Sequence, residues 1–312
     1  MAKSIEIVEV GARDGLQNES RTLTVAQRLE FIKHLVHSGL KRIEVGAFVS
    51  PKWVPQMASS RELIEELYRA APPKKGVRYS ALVPNLRGME DALKTPIDEI
   101  AVFGACSESF SKKNINCTIA ESLENFKEVL KLAKKHKRPA RGYLSVAFGC
   151  PYEGPVDENR VVELVRAYLK MGVFEISIGD TIGVASPKQV RSLIKKLKNK
   201  GVPLKKVALH MHDTRGTALA NVLTGYDMGI KVFDSSFGGL GGCPYAKGAS
   251  GNLATDDLVY MFEGMGVKTG VDLNKLLGFT KEMTNRIGHK LPSKMAEAGM
   301  PFQGADSSGS GR

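Results

Sequence analysis

Cysteine is scarce: four in 312 residues, none in a Cys-x-x-Cys pair. That argues against a disulfide frame or a thiolate zinc site, and for free thiols in a reducing compartment. No apolar run approaches the roughly 20 residues that span a bilayer; the longest, such as Ile176–Ile178 and Val207–Leu209, are strand-sized. A glycine-rich dinucleotide loop after the first strand-like segment is also missing, which counts against an open doubly wound sheet. Gly11-Ala12-Arg13-Asp14-Gly15 is the nearest approach, and it sets an acid and a base where a phosphate needs bare backbone. Aromatics make up only 7% and rarely interleave with the scattered lysines (Lys131, Lys134, Lys135, Lys195, Lys196, Lys198). The formal charge of +12 therefore reads as a solvated basic surface or an attraction for an anionic small molecule, not as a nucleic-acid footprint. Residues 1–10 read as a strand with no targeting segment ahead of it, so the expected location is the cytoplasm and no membrane partner is expected.

What is present is periodic. A chain that is 42% hydrophobic can bury one large core, and lengths of about 250 residues or more fit one barrel domain. Short β-branched segments begin near Ile5, Arg42, Val77, Glu99, Gly142, Phe174, Val207 and Val232, with helical patterns in most of the gaps. Thr24–His37 places Val25, Leu29, Ile32, Leu35 and Val36 at helical spacing behind a threonine cap, and Asn159–Met171 does the same ahead of Gly172. Eight repeated βα units predict an α/β fold, a closed (β/α)8 TIM barrel. Asn274–Ile287 reads as an additional C-terminal helix. The expected organisation is a single catalytic domain over 1–290 and a partly disordered tail over 291–312.

Active sites of such barrels form at the C-terminal ends of the strands. There the sequence offers Arg13-Asp14 after the first strand, Glu44 in the second, Asp180-Thr181 after the sixth and His210-Met211-His212-Asp213 after the seventh. The eighth leads to Gly241-Gly242-Cys243-Pro244 and on to Asn252. Alternate strand residues face one way, so His210 and His212 can grip one ion. With Asp14 and Asn252 they make a two-nitrogen, two-oxygen donor set that suits Mg2+ or Mn2+ better than zinc. Arg13 carries a fixed charge able to meet a developing oxyanion, with Glu44 to orient it. Cys243, in a glycine-dense stretch that reads as a mobile active-site loop, can move a proton at a carbon centre.

Several stretches resemble those of 3-hydroxy-3-methylglutaryl-CoA lyases, over nearly the whole chain. They are Val10–Asn18 (VGARDGLQN), Phe48–Met57 (FVSPKWVPQM), Lys112–Cys117 (KKNINC), Gly149–Gly154 (GCPYEG), Gly179–Val184 (GDTIGV) and Gly241–Thr255 (GGCPYAKGASGNLAT). The resemblance implies metal ligands at Asp14, His210, His212 and Asn252, and catalytic roles for Arg13, Glu44, Asp180, Cys243 and His210. It also implies that Arg13, Gln17, Arg141 and Thr181 handle substrate and that the protein forms a homodimer. Asp256 stands where animal members of that family carry glutamate. The implied reaction is divalent-metal-dependent cleavage of an acyl-CoA, 3-hydroxy-3-methylglutaryl-CoA, into acetyl-CoA and acetoacetate, as in leucine breakdown or ketone-body formation. Acyl-CoA condensing enzymes of the isopropylmalate or homocitrate synthase type share the Arg-Asp-Gly-x-Gln opening but not the cysteine loop. A non-catalytic metal-binding barrel is the alternative from a different class.

Overall fold

The computed structural model describes residues 3–242 and 251–301. Eight parallel strands close on themselves in sequence order, β1 (Glu6–Glu9), β2 (Arg42–Ala47), β3 (Arg78–Leu82), β4 (Glu99–Ala105), β5 (Ala140–Ser145), β6 (Glu175–Asp180), β7 (Val207–Met211) and β8 (Val232–Ser235). The expected (β/α)8 barrel is the fold found, with strand starts within two residues of those read from the sequence.

Closure leaves no free sheet edge, and strands covered on both faces are buried at nearly every position. The outer helices follow from ordinary capping chemistry. Thr24 and Thr118 each form a reciprocal capping box, with Gln27 and Glu121, at the starts of Val25–His37 and Ile119–Lys135. Gly172 closes Glu158–Met171 in the left-handed region at φ 103°.

Two differences from the sequence reading are local. Asn274–Ile287, read as one helix, is two: Leu273–Leu277 and Thr280–Ile287, parted at Gly278 and Phe279. Glycine costs helix stability, and Phe279 turns instead onto Phe31, with ring centroids 6.0 Å apart. The segment from 291, expected as a tail, is structured as far as 301. Its helix Lys294–Ala298 is capped by Ser293, and Asp257 accepts hydrogen bonds from the amides of Lys294 and Met295. The rest of that expected tail, residues 302–312, falls outside the described residues.

Two carboxylates buried near β1 and β8 carry a prediction. Glu9 accepts hydrogen bonds from the amides of Gly11 and Phe237 and from Thr255 Oγ1. Neither oxygen of Asp256 has a well-formed partner. Burial pushes both groups up to about 7, and for Asp256 the charges of Asp257 and Glu9 add to it. A raised folded-state pKa means that the native protein holds protons the unfolded chain has already lost, so the stabilisation is complete below the unfolded carboxylate range and is lost as pH rises through 7. Stability should therefore fall between about pH 5 and pH 8, by on the order of 3 kcal/mol for each group at most. Asp256→Asn should flatten that slope in denaturant titrations at the two pH values; an unchanged slope would remove Asp256 as a cause.

Candidate active site and metal centre

After β1 the chain enters a wide turn, Gly11–Gly15, in which the amides of Arg13, Asp14 and Gly15 all donate to Val10 O, at 3.1, 2.7 and 3.2 Å. In an ideal strand Arg13 would point away from Asp14, and this turn brings both to one side. Arg13 and Asp14 both reach the cavity at the top of the barrel, where Arg13 Nη1 donates to Asp14 Oδ1 at 2.5 Å and Arg13 Nε donates to Glu44 Oε1.

Glu44 lies at a register shift between β2 and β3, a bulge of the kind that re-aims side chains beside active sites. Its second oxygen accepts from Tyr143 Oη at 2.5 Å. Burial alone would lower the Arg13 pKa, but Glu44 and Asp14 outweigh it and hold the guanidinium charged.

Across the barrel, His210 is the penultimate residue of β7 and His212 lies just beyond its end; their Nε2 atoms are 3.1 Å apart. Asn252 arrives by a short antiparallel bridge to His212, flanked by hydrogen bonds from Leu253 N to Met211 O (3.1 Å) and Asp213 N to Gly251 O (2.7 Å). Asn252 Nδ2 donates to Asp14 Oδ2 at 2.9 Å, while its Oδ1 is buried and without a partner.

Gly241 is required beside it. Its φ is +97°, and a Cβ there would meet Asn252 Nδ2 at 2.8 Å.

Donor atoms of Asp14, His210 and His212 lie within 4.8 Å of one another. Two ring nitrogens facing each other, an orphaned amide oxygen and an adjoining carboxylate are all electron-pair donors, and the set fits a shared cation. Asp14 is held down at about 2; burial opposes this, and Arg13, His210 and His212 overcome it. Burial and the neighbouring His210 push His212 down to about 3, so its ring stays neutral, as a metal ligand must be.

The cavity above these groups has a volume of about 910 Å³, ample for an extended ligand. Gln17 and Thr181 line it together with Arg13, Asp14, His210 and His212. Toward the rim the lining passes to Trp53, Lys112, Lys113 and Asn116.

Two expected site residues stand apart. Asp180 does not line the cavity; its oxygens accept from the amides of Val184 and Ala185, both at 2.9 Å, which shapes the turn that presents Thr181. Burial raises its proton affinity against those two hydrogen bonds. Arg141 is buried beneath the cavity floor, bound to Glu175 and Asp234. Cys243 falls outside the described residues.

Tyr143, Ser177 and Asp234 were not singled out from the sequence. The available signal was polar side chains inside otherwise apolar strand runs, which a buried barrel interior tolerates only when they are paired.

Fold and site together define a (β/α)8-barrel protein with a cluster of one carboxylate and two histidines, able to hold a cation, at the C-terminal mouth of the barrel. The chain belongs to the HMGL-like family, whose model matches residues 4–282. It is 49% identical over 294 residues to the rat protein named 3-hydroxy-3-methylglutaryl-CoA lyase, cytoplasmic, covering 94% of this chain and 84% of that one. It is 47% identical over 298 residues to the human hydroxymethylglutaryl-CoA lyase, mitochondrial (96% and 90% covered). The same identity and length relate it to a Pseudomonas aeruginosa protein named 3-hydroxy-3-isohexenylglutaryl-CoA/hydroxy-methylglutaryl-CoA lyase (96% and 98%). Among solved structures, an Acinetobacter baumannii HMG-CoA lyase in complex with coenzyme A and 3-methylmalate superposes with a TM-score of 0.90 at 36% identity, covering 96% of both chains.

Proposed function

We propose that the protein is a carbon-carbon lyase that cleaves 3-hydroxy-3-methylglutaryl-CoA into acetyl-CoA and acetoacetate. The observation that carries this is the convergence of Asp14, His210 and His212 beside a charged, doubly anchored Arg13 under a cavity large enough for an acyl-CoA. The relatives' names and the coenzyme A complex of the A. baumannii structure support the substrate class.

Asp14, His210, His212 and Asn252 hold a divalent ion, and their mixed nitrogen and oxygen donors favour Mg2+ or Mn2+. When bound, such an ion polarises substrate oxygens and lowers the pKa of a coordinated hydroxyl.

The remaining chemistry belongs to side chains. The proton of the tertiary hydroxyl passes to Asp180, because His210 has one ring nitrogen turned to His212 and the other turned to Asp234. Asp180 is set back from the cavity, so a water or hydroxyl carries the proton to it. Thr181 stands on the wall next to it; its Oγ1 accepts from Val146 N at 2.8 Å and keeps its own proton to donate.

As the bond between C2 and C3 breaks, the hydroxyl-bearing carbon becomes the ketone of acetoacetate, and the electron pair moves into the thioester as an enolate. Arg13 meets the charge on the thioester oxygen, and Cys243 returns a proton to the carbon, giving acetyl-CoA. Glu44 and Tyr143 hold Arg13 in place for that moment.

The test is acetoacetate release from 3-hydroxy-3-methylglutaryl-CoA by EDTA-stripped protein, before and after Mg2+ or Mn2+ is restored. We expect no turnover without the ion and recovery with it. Full activity in EDTA would remove the ion from the reaction, and no product with any divalent ion would remove the substrate assignment. The branch on C3 is assayed in parallel with an isohexenyl analogue, because the P. aeruginosa relative is named for both thioesters.

A further inference from the structure

Beneath the metal centre runs a buried chain of charges that the proposed reaction leaves without a task. Arg42 Nη2 donates to Glu175 Oε1 at 2.9 Å, and Arg141 Nε donates to the same oxygen at 2.7 Å. Arg141 then turns its other two nitrogens to Asp234, with Nη2 to Oδ1 at 2.7 Å and Nη1 to Oδ2 at 3.1 Å. Asp234 Oδ2 also accepts from Ser177 Oγ at 2.7 Å and faces His210 Nδ1 at 3.3 Å. Asp234 is 1% exposed, so its carboxylate is held by Arg141, Ser177 and His210 away from bulk water.

We infer that Asp234 is a positioning residue that fixes the tautomer and orientation of His210, with Arg141 and Ser177 as the clamp that aims it. This rests on the assignment of His210 to the ion under the proposed function.

The reasoning is one of donors and acceptors. An ionised carboxylate can only accept, so the nitrogen of His210 that faces it must carry the ring proton. In a neutral imidazole the other nitrogen then presents its lone pair. That nitrogen, Nε2, is the one turned to His212 Nε2 and the cation position. Carboxylates behind metal-bound histidines act in this way, and losing them typically weakens the metal by 10- to 100-fold.

The two histidines differ here in what Nδ1 faces: both atoms are buried outside any well-formed hydrogen bond, but that of His210 has Asp234 Oδ2 at 3.3 Å, and no carboxylate lies at ion-pair distance from that of His212 among the described residues. Only His210 is preset, and the effect of Asp234 must run through it.

Asparagine at 234 inverts the arrangement. Arg141 donates and will hold the amide oxygen, which leaves the amide NH2 facing His210 Nδ1 and pushes the ring proton to Nε2, where the ion needs a lone pair. In EDTA-stripped protein without substrate, Asp234→Asn should weaken Mn2+ binding, followed by electron paramagnetic resonance, by about 10- to 100-fold. In a His210→Ala background the same substitution should change Mn2+ affinity no further. Should Asp234→Asn fail to fold, Ser177→Ala enters the same cycle with an expected loss of about threefold, the size of one neutral hydrogen bond.

An unchanged affinity, or an equal loss with and without His210, would overturn the positioning role and leave Asp234 as a structural charge. Wild-type protein that binds no Mn2+ would overturn it by a separate route, by removing the metal centre itself. Because no substrate enters the measurement, an error in the acyl-CoA assignment leaves the result untouched.

Discussion

Arg13→Met should lower turnover by about 10²- to 10³-fold, the 3–4 kcal/mol that a single charge partner of a developing oxyanion commonly supplies. The loss belongs in kcat more than in KM, because the enolate charge exists only after the bond begins to break. Two structural consequences accompany it. Asp14 loses a cation held 2.5 Å away, which makes its carboxylate a stronger, not a weaker, ligand for a divalent ion. Metal affinity should therefore hold or rise. Glu44, with no exposed surface, keeps the Tyr143 hydroxyl but loses its countercharge. Stranding a buried carboxylate costs about 3–5 kcal/mol of stability. Glu44→Gln added to Arg13→Met should restore much of that stability and none of the turnover, and this combination separates chemistry from folding. Near-normal turnover in Arg13→Met would take Arg13 out of the mechanism. Turnover lost together with metal binding would reduce it to a brace for Asp14.

The same residue shows how much of the site was legible in the sequence. Strand starts, the closed barrel and the pairing of His210 with His212 follow from periodicity alone, because period-2 and period-3.6 patterns are local. The side on which Arg13 lies is not local. It depends on a wide turn whose amides converge on Val10 O, and the spacing of Gly11 and Gly15 does not specify that geometry.

Asp180 and Arg141 show the limit from the other direction. Both sit in motifs that resemble those of catalytic residues, yet the Asp180 carboxylate is set back from the cavity, accepting from the amides of its own turn, and the guanidinium is clamped beneath the floor. Sequence position told which strand end each occupies. Which partner captures each side chain was decided by residues more than 30 positions away for Arg141, Glu175 and Asp234. The break at Gly278 was missed for a simpler reason: the apolar spacing continues across it while the backbone does not.

Cys243→Ser is expected to cost about 10²- to 10⁴-fold in turnover, the range of a positioned acid in proton transfer. Serine keeps the shape of the side chain, but its hydroxyl holds its proton far more tightly than a thiol does, so it is a poor acid toward the enolate carbon. The chain on either side of residues 243–250 belongs to the site. It leaves the site at Gly241, whose φ of +97° packs it against Gly15 and the Asn252 amide, and returns at Asn252, whose N–H donates to Gly241 O at 3.3 Å. A thiolate can also bind a metal ion, and the two roles part in a single comparison. A proton donor gives a variant that binds Mn2+ as tightly as wild type and turns over slowly, with alanine at 243 as slow as serine. A ligand gives a variant whose Mn2+ affinity falls with its turnover, and in that case the proton for the enolate carbon must come from another group.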